Sequence, residues 1–256
     1  MKSEQQSPHL NQEQAMRYSR QIMLPGFDLE GQEKLLASRI LLIGAGGLGC
    51  AAAQYLAAAG IGHITIVDDD KVELSNLQRQ VLHSEATLGV NKSKSAQAAL
   101  KRLNPLLSVS AFVKRMGDAE LSEQINLHDL VLDCCDNLET RQQLNQLCFT
   151  AKVPLVSGAA IRMEGQVCSF TQRAEHACYQ CLSASFGEQN LSCMEAGIMS
   201  PVVGIIGAMQ ALEGIKILSG FGEALTNKLL MFDAMTSEWR RFTLMKHPRC
   251  AVCAAT

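Results

Sequence analysis

Six residues do most to limit what this chain can fold into: Gly44-Ala-Gly-Gly-Leu-Gly49. They follow directly on an apolar run, Arg39-Ile-Leu-Leu-Ile43, and lead into an alanine-rich helical stretch that Gly60 ends. His63-Ile-Thr-Ile-Val-Asp68 then reads as a second strand closing on an acid. Strand, glycine turn, helix and strand together open a doubly wound sheet. Gly44, Gly46 and Gly49 fit GxGxxG, with Gly47 between them; missing side chains let backbone amides approach phosphate oxygens at a helix N-terminus. Asp68 stands where an acid commonly accepts hydrogen bonds from ribose hydroxyls. Proteins that bind NAD, FAD, S-adenosylmethionine or ATP share this device, so it predicts a nucleotide without choosing one.

The rest of the pattern extends that frame. Residues 11–24 and 29–37 read as helices, with Met16, Ile22, Leu24, Leu35 and Leu36 as candidate buried positions. Helices are predicted near 91–104, 118–126 and 138–151, with strands at Leu106–Val113, Asp129–Cys134 and Val153–Ser157 between or after them. Such alternation implies a parallel sheet. Past Ser157 the rhythm changes. Ala159–Met163 and Gln166–Thr171 flank Glu164-Gly165 as an expected antiparallel hairpin. An apolar helix over 201–218 precedes two last strands, Lys228–Phe232 and Trp239–Leu244. The expectation is one α/β domain over 1–256, a doubly wound Rossmann-like mixed sheet. Its parallel nucleotide-binding half (about 12–157) continues into an antiparallel half (about 158–256) that shapes a substrate groove.

Charge narrows the partners. Lys and Arg number 23 against 25 Asp and Glu, too balanced for a protein that grips a nucleic-acid backbone. The 201–218 run contains Glu213 and Lys216 and reads as a buried helix, not a membrane span; the first eleven residues have no apolar core of a signal peptide. Ten cysteines in a chain of this length fit a reducing, cytoplasmic setting. Four of them make two CxxC pairs, Cys178/Cys181 and Cys250/Cys253, which together match a tetrahedral structural zinc with no position left for water.

Downstream of Asp68 lies Leu74-Ser-Asn-Leu-Gln-Arg-Gln80, and then Lys92. Two cations and an Asn soon after the ribose acid suit a triphosphate better than a dinucleotide. Asp136-Asn137 follows a strand at the edge where ligands of such folds bind, and Asp136 suits a magnesium ion bridging phosphates. Each piece has an ordinary explanation: Arg79 and Lys92 as solvated surface charges, Asp-Asn as a helix cap. It is the combination that points to a site.

Arg20-Gln-Ile, the Gly44–Gly49 loop, Ser75-Asn-Leu-Gln-Arg79, Lys92, Asp136-Asn137 and both CxxC pairs resemble the MoeB/ThiF/HesA group of ubiquitin-activating-enzyme-like adenylyltransferases. The resemblance runs from about residue 12 onward, and Ser157-Gly-Ala-Ala-Ile-Arg-Met-Glu-Gly165 is closest to the molybdopterin branch of the group. It implies ATP with magnesium, and attack by the C-terminal Gly-Gly carboxylate of a ubiquitin-like sulfur carrier on the α-phosphate. Arg20, Arg79 and Lys92 would then neutralise phosphates, and Asp136 would hold magnesium. Asp68 would hold the ribose, while Ser75, Asn76, Leu77, Gln78 and Asn137 line or orient the nucleotide. The resemblance also implies a homodimer in which Arg20 reaches the neighbouring site, a heterotetramer with carrier, and a separate sulfur donor, because no rhodanese-like extension follows Cys253. Cys135 stands where relatives often carry Thr, with little consequence expected. The carrier groove is expected near 159–171 and 182–199. Cys193 lies where ubiquitin-type relatives form a thioester, and it is expected to be a bystander. The thiazole-pathway carrier is the alternative substrate. An NAD-dependent oxidoreductase is the alternative of another class, in which Arg20, Arg79 and the paired cysteines would lack a purpose.

Overall fold

In the computed structural model the chain is described over residues 10–186 and 196–254. Eight strands form one sheet in the order β3-β2-β1-β4-β5-β6-β7-β8. They are β1 (Arg39–Ile43), β2 (His63–Val67), β3 (Ser108–Phe112), β4 (Leu130–Asp133), β5 (Leu155–Ile161), β6 (Glu164–Phe170), β7 (Lys228–Asp233) and β8 (Glu238–Thr243). The pairings from β3 through β5 are parallel and those from β5 through β8 antiparallel. The helices are α1 (Gln12–Arg17), α2 (Ser19–Ile22), α3 (Asp28–Ala37), α4 (Gly47–Ala59), α5 (Lys92–Leu103), α6 (Asp118–Asn126), α7 (Leu138–Ala151), α8 (Tyr179–Phe186) and α9 (Ser200–Ser219).

Burial on both faces explains why the parallel strands read as unbroken apolar runs. Ile40 and Leu42 point into one core with α4, α5 and α9, while Leu41 and Ile43 point into the other with α6, α7 and α8. α4 stops where Gly60 takes a left-handed φ of 88°, and α7 begins where the Asn137 side chain accepts the Thr140 N–H at 2.9 Å. α9 is apolar and long enough to cross a membrane. Yet Gln210 and Glu213 are fully buried in it and bonded to neighbouring strands and loops, which marks a core helix.

The sheet's order places the site. Strand order reverses between β1 and β4, so β1 runs on to β2 and β3 on one side and β4 to β5 on the other. Ligands of open α/β sheets bind in the crevice outside such a reversal. The turns after β1 (44–46) and β4 (134–137) flank it.

Two expectations need correction. Val153–Ser157 and Ala159–Met163 are not separate strands: β5 runs through both, and Glu164-Gly165 opens β6 instead of forming the turn. The turn is Arg162-Met163, with Arg162 at a φ of 55°; Gly197 and Met199 bond to its backbone and hold it there. Met16 (72% exposed) and Leu24 (47%) are not buried, although Leu35 is. α1 and α2 lie outside the core, so their apolar spacing does not mark a face turned inward.

Candidate active site

The glycines divide by what surrounds them. Gly44 has a φ of 95°, and a Cβ there would lie 2.8 Å from the Cys134 carbonyl oxygen. A Cβ on Gly49 would sit 1.9 Å from the Gly44 carbonyl oxygen, and one on Gly47 2.9 Å from Val203. Internal packing therefore accounts for all three. Gly46 differs: its Cβ would meet only the Gln80 side chain at 3.7 Å, an ordinary contact. The Gly46 N–H has no hydrogen-bond partner among the described residues. The chain does not need a glycine at 46 for itself, whereas something approaching from outside would.

Asp68 braces this loop. Its carboxylate accepts the Ala45 N–H at 2.7 Å and the Asp70 N–H at 2.9 Å. Burial raises its pKa, and the Ala45 bond and the Lys92 charge offset only part of that rise. Lys92, the first residue of α5, is buried; its ammonium meets the Asp70 carboxylate at 2.8 Å and its N–H the Asp70 carbonyl at 2.9 Å. Asp70, which the sequence reading passed over, thus holds Lys92 beside the loop.

Leu74–Asn76 form a short 3-10 helix, and the chain turns on through residue 79. Asn76 is buried and accepts the Glu73 N–H at 3.1 Å. Arg79 gives one guanidinium N–H to the Ser75 carbonyl at 3.1 Å and has no further partner among the described residues. Ser75 is exposed, Leu77 half-buried, and the Gln78 carbonyl accepts from the Ser200 hydroxyl. Gln80 is buried against the loop, and its Oε1 has no partner among the described residues, a costly arrangement for a buried carbonyl.

Across the crevice Asp133 ends β4 fully buried. It accepts the Ser157 hydroxyl at 2.5 Å, and the Cys135 thiol and N–H at 2.7 and 3.1 Å. Arg141 reaches from α7 to within 3.7 Å of the same carboxylate and donates to the carbonyls of Cys135 (2.7 Å) and Gly158 (3.2 Å). Burial works against the Arg141 charge, but Asp133, Cys135 and Tyr179 together outweigh it and raise its pKa. This network fixes the turn that carries Asp136, which is exposed and has no hydrogen bond or ion pair among the described residues. Asn137 caps α7 with its carbonyl oxygen, leaving its amide NH₂ uncommitted there.

The fold thus gathers the Gly44–Gly49 loop, Asp68, Lys92 and the 75–79 turn on one side of the crevice, with Asp136-Asn137 on the other. It does not gather Arg20 with them. α2 is tied down by Gln21, which donates to the Ala59 carbonyl at 3.0 Å and to Gln32 at 2.7 Å. Ala59 ends α4, whose other end is the glycine loop. Thirteen residues at 1.5 Å each put these ends roughly 18 Å apart, more than an arginine side chain spans. Arg20 itself is exposed and has no partner among the described residues.

The four CxxC thiols come together within the second core. Their sulfurs lie within 4.8 Å of one another, with Cys178–Cys250 at 3.6 Å and Cys181–Cys253 at 3.5 Å. A metal with four sulfurs at about 2.3 Å spaces them roughly 3.8 Å apart, so the cluster suits one. Asn145 and the His247 N–H donate to Cys178 (3.6 Å) and Cys181 (3.3 Å), the outer bonds expected around such thiolates. Cys193, and with it 187–195 of the expected groove segment, lies outside the described residues.

Sequence reasoning also missed His83, Asp133, Arg141 and Ser157. The one available signal was the run Asp133-Cys-Cys-Asp136 at a strand end, since their partners are distant in the chain.

A mixed eight-stranded sheet with a glycine loop at its switch point is the fold of Rossmann-like adenylyltransferases. The chain belongs to the ThiF family, whose sequence model matches residues 18–252. It is 55% identical over 244 residues to the molybdopterin-synthase adenylyltransferase of Escherichia coli, covering 95% of this chain and 98% of that one. To the sulfur carrier protein ThiS adenylyltransferase of the same organism it is 42% identical over 247 residues, covering 96% and 98%. Among solved structures, E. coli MccB with ATP superposes with a TM-score of 0.80 at 25% identity, over 93% of this chain and 73% of that one.

Proposed function

We propose that this protein uses ATP to adenylylate the C-terminal glycine carboxylate of the molybdopterin-synthase sulfur carrier, for molybdenum cofactor biosynthesis. The observation that carries this reading is the 55% identity, nearly end to end, with a relative named for that activity. The open donors at the crevice support it.

A carboxylate oxygen of the carrier attacks the α-phosphorus, the bond to the β-phosphate's bridging oxygen breaks, and pyrophosphate leaves with its electron pair. No general base is needed, because a terminal carboxyl with a pKa of roughly 3.3–3.7 is already ionised. The difficulty is repulsion between anions and charge growing on pyrophosphate, so the site must supply positive groups and position. The loop's amides, Lys92 and Arg79 would meet phosphates, Asp68 the ribose, and Asp136, without a partner among the described residues, a magnesium ion. Magnesium would neutralise phosphate charge; Asp136 contributes a fixed carboxylate on a braced turn.

Arg20 serves a neighbouring subunit's crevice in this reading. Its distance from its own loop supports that, as does the exposed apolar cluster around it (Met16, Met23, Leu24). The protein would act as a cytoplasmic homodimer, binding a carrier on each side, with the residues from about 158 onward forming the carrier groove and a zinc ion held by Cys178, Cys181, Cys250 and Cys253. The zinc would pin residues 250–253 to α8 and take no part in the chemistry.

The test is ATP–pyrophosphate exchange with purified carriers. Exchange driven by the molybdopterin-synthase carrier, and far more weakly by the thiazole carrier, is expected. The reverse preference would reassign the substrate, and exchange with neither would sink the reading. In the same assay, mixed Arg20→Ala and Asp136→Asn dimers should recover activity; failure in verified heterodimers would place Arg20 in its own chain's site.

A further inference from the structure

We propose that His83 is a positioning residue that aims the Gly46 amide at the nucleotide's phosphates; this rests on the ATP reading above. His83 is buried behind the glycine loop and touches three segments. Its Nε2 lies 3.0 Å from the Ala45 carbonyl oxygen, its Nδ1 2.9 Å from the Ser95 hydroxyl on α5, and Cys50 of α4 is 3.6 Å away. A carbonyl can only accept, so Nε2 carries the proton and donates to Ala45, and Nδ1 accepts the Ser95 O–H. Burial holds the ring neutral, which this bonding requires.

The consequence follows from one peptide plane. In a trans peptide the C=O and the next N–H point in opposite directions. The bond from His83, with a second from the Cys50 thiol at 3.3 Å, draws the Ala45 carbonyl inward, so the Gly46 N–H faces outward. Outward is where Gly46 has no side chain, no packing that demands a glycine, and no partner for its N–H. Asp68 fixes the other side of Ala45 by accepting its N–H at 2.7 Å, so the residue cannot turn about either flank. Through Ser95 the same imidazole holds the first turn of α5, one residue of which is Lys92. His83 therefore sets an amide and an ammonium, on two segments, in one register. An anion placed against Gly46 gains from this arrangement, whereas a bare nucleoside does not.

The experiment is calorimetric binding of ATP and of adenosine to the full-length protein and its variants. His83→Leu should weaken ATP binding about tenfold and change adenosine binding less than about twofold, the loss expected for one hydrogen bond to a charged group. His83→Gln, whose amide can still donate to Ala45, should return ATP binding to within about threefold of wild type. Unchanged ATP binding in His83→Leu, or equal weakening of both ligands, would show a merely structural histidine. If wild type binds no ATP, the adenylylation reading falls and takes this one with it. Should His83→Leu not fold, nitrogen-15 spectra of the wild-type protein decide: an Nε2–H tautomer and a Gly46 amide that shifts with ATP but not adenosine are expected. The Nδ1–H tautomer or an unmoved Gly46 overturns the proposal.

Discussion

β2 has two ends, and they are built differently. At its carboxyl end, polar groups are left with capacity to spare: the Gly46 N–H, the Gln80 carbonyl oxygen and, across the crevice, the Asp136 carboxylate lack partners among the described residues. At its other end a chain of hydrogen bonds closes completely. His128 Nδ1 lies 2.6 Å from the Gln124 carbonyl, and so must donate; its Nε2 then accepts the Thr65 hydroxyl at 2.8 Å. Thr65 in turn accepts from His63 Nε2 at 3.0 Å, and His63 Nδ1 accepts the Ser108 hydroxyl at 2.9 Å. Every proton has one place to be. The four-cysteine cluster is a second closed set. A closed network away from the crevice holds the fold together, one directly behind it (His83, Asp133) also aims what it holds, and an open one, costly when empty, is where a ligand completes the bonding. Variants in closed regions should therefore cost stability, and variants at the open edge should cost activity.

The largest effect is expected at the cysteines. Cys181→Ala should release an otherwise stoichiometric zinc ion and lower stability by about 4 kcal/mol, or the melting temperature by roughly 10 °C. Metal analysis with thermal melts checks both. A metal-free wild type, or a variant that melts like it, would remove this cluster from the closed class. Next comes Asp136→Asn, which keeps size and loses charge. Carrier-dependent pyrophosphate exchange should fall about 100-fold, equivalent to about 2.7 kcal/mol of transition-state stabilisation, with the melting temperature nearly unchanged. Activity within about threefold of wild type would put the metal-holding carboxylate elsewhere.

How legible this was depended on how local the signal is. The glycine loop, Gly60 as a stop and the 118–126 and 138–151 helices depend on neighbours in sequence, and the structure has them where the sequence suggests. Two CxxC pairs announce themselves as well. The hairpin turn was misplaced because Glu164-Gly165 looks like a turn, while Arg162 turns only with the backbone of 197–199 bonded to it. Met16 and Leu24 showed helical spacing, but spacing reports that a face is apolar, not that this chain covers it. Least visible were the braces: His83 to Ala45 spans 38 residues, and Arg141 to Gly158 joins a helix to a strand. A lone histidine or arginine carries no sign of such partners until the sheet brings them together.

The smallest effect tests the closed end of β2 through pH. Burial, the Arg39 charge and His128 lower the His63 pKa from 6.5 to about 4, and burial lowers that of His128 as well. In the unfolded chain these rings take up protons near pH 6.5, whereas in the folded protein both resist longer, His63 until about pH 4. The unfolded state therefore binds more protons between the two values, and stability must fall as pH falls through that window. Above pH 6.5 the contribution is intact, and below about 4 the loss levels off. For His63, discounted for the solvent that reaches it, the loss between pH 7.5 and 5 should be about 1 kcal/mol. Carboxylates titrate in the same range, so the quantity to measure is a difference: urea unfolding of wild type and His63→Gln at both pH values. Glutamine cannot take up the proton, so the wild type should lose about 1 kcal/mol more than the variant on acidification, while pyrophosphate exchange at pH 7.5 stays within about twofold. Equal acid sensitivity would mean that the chain of bonds from Ser108 to Gln124 yields to protonation without cost. A drop in exchange would mean that the two ends of β2 are coupled after all.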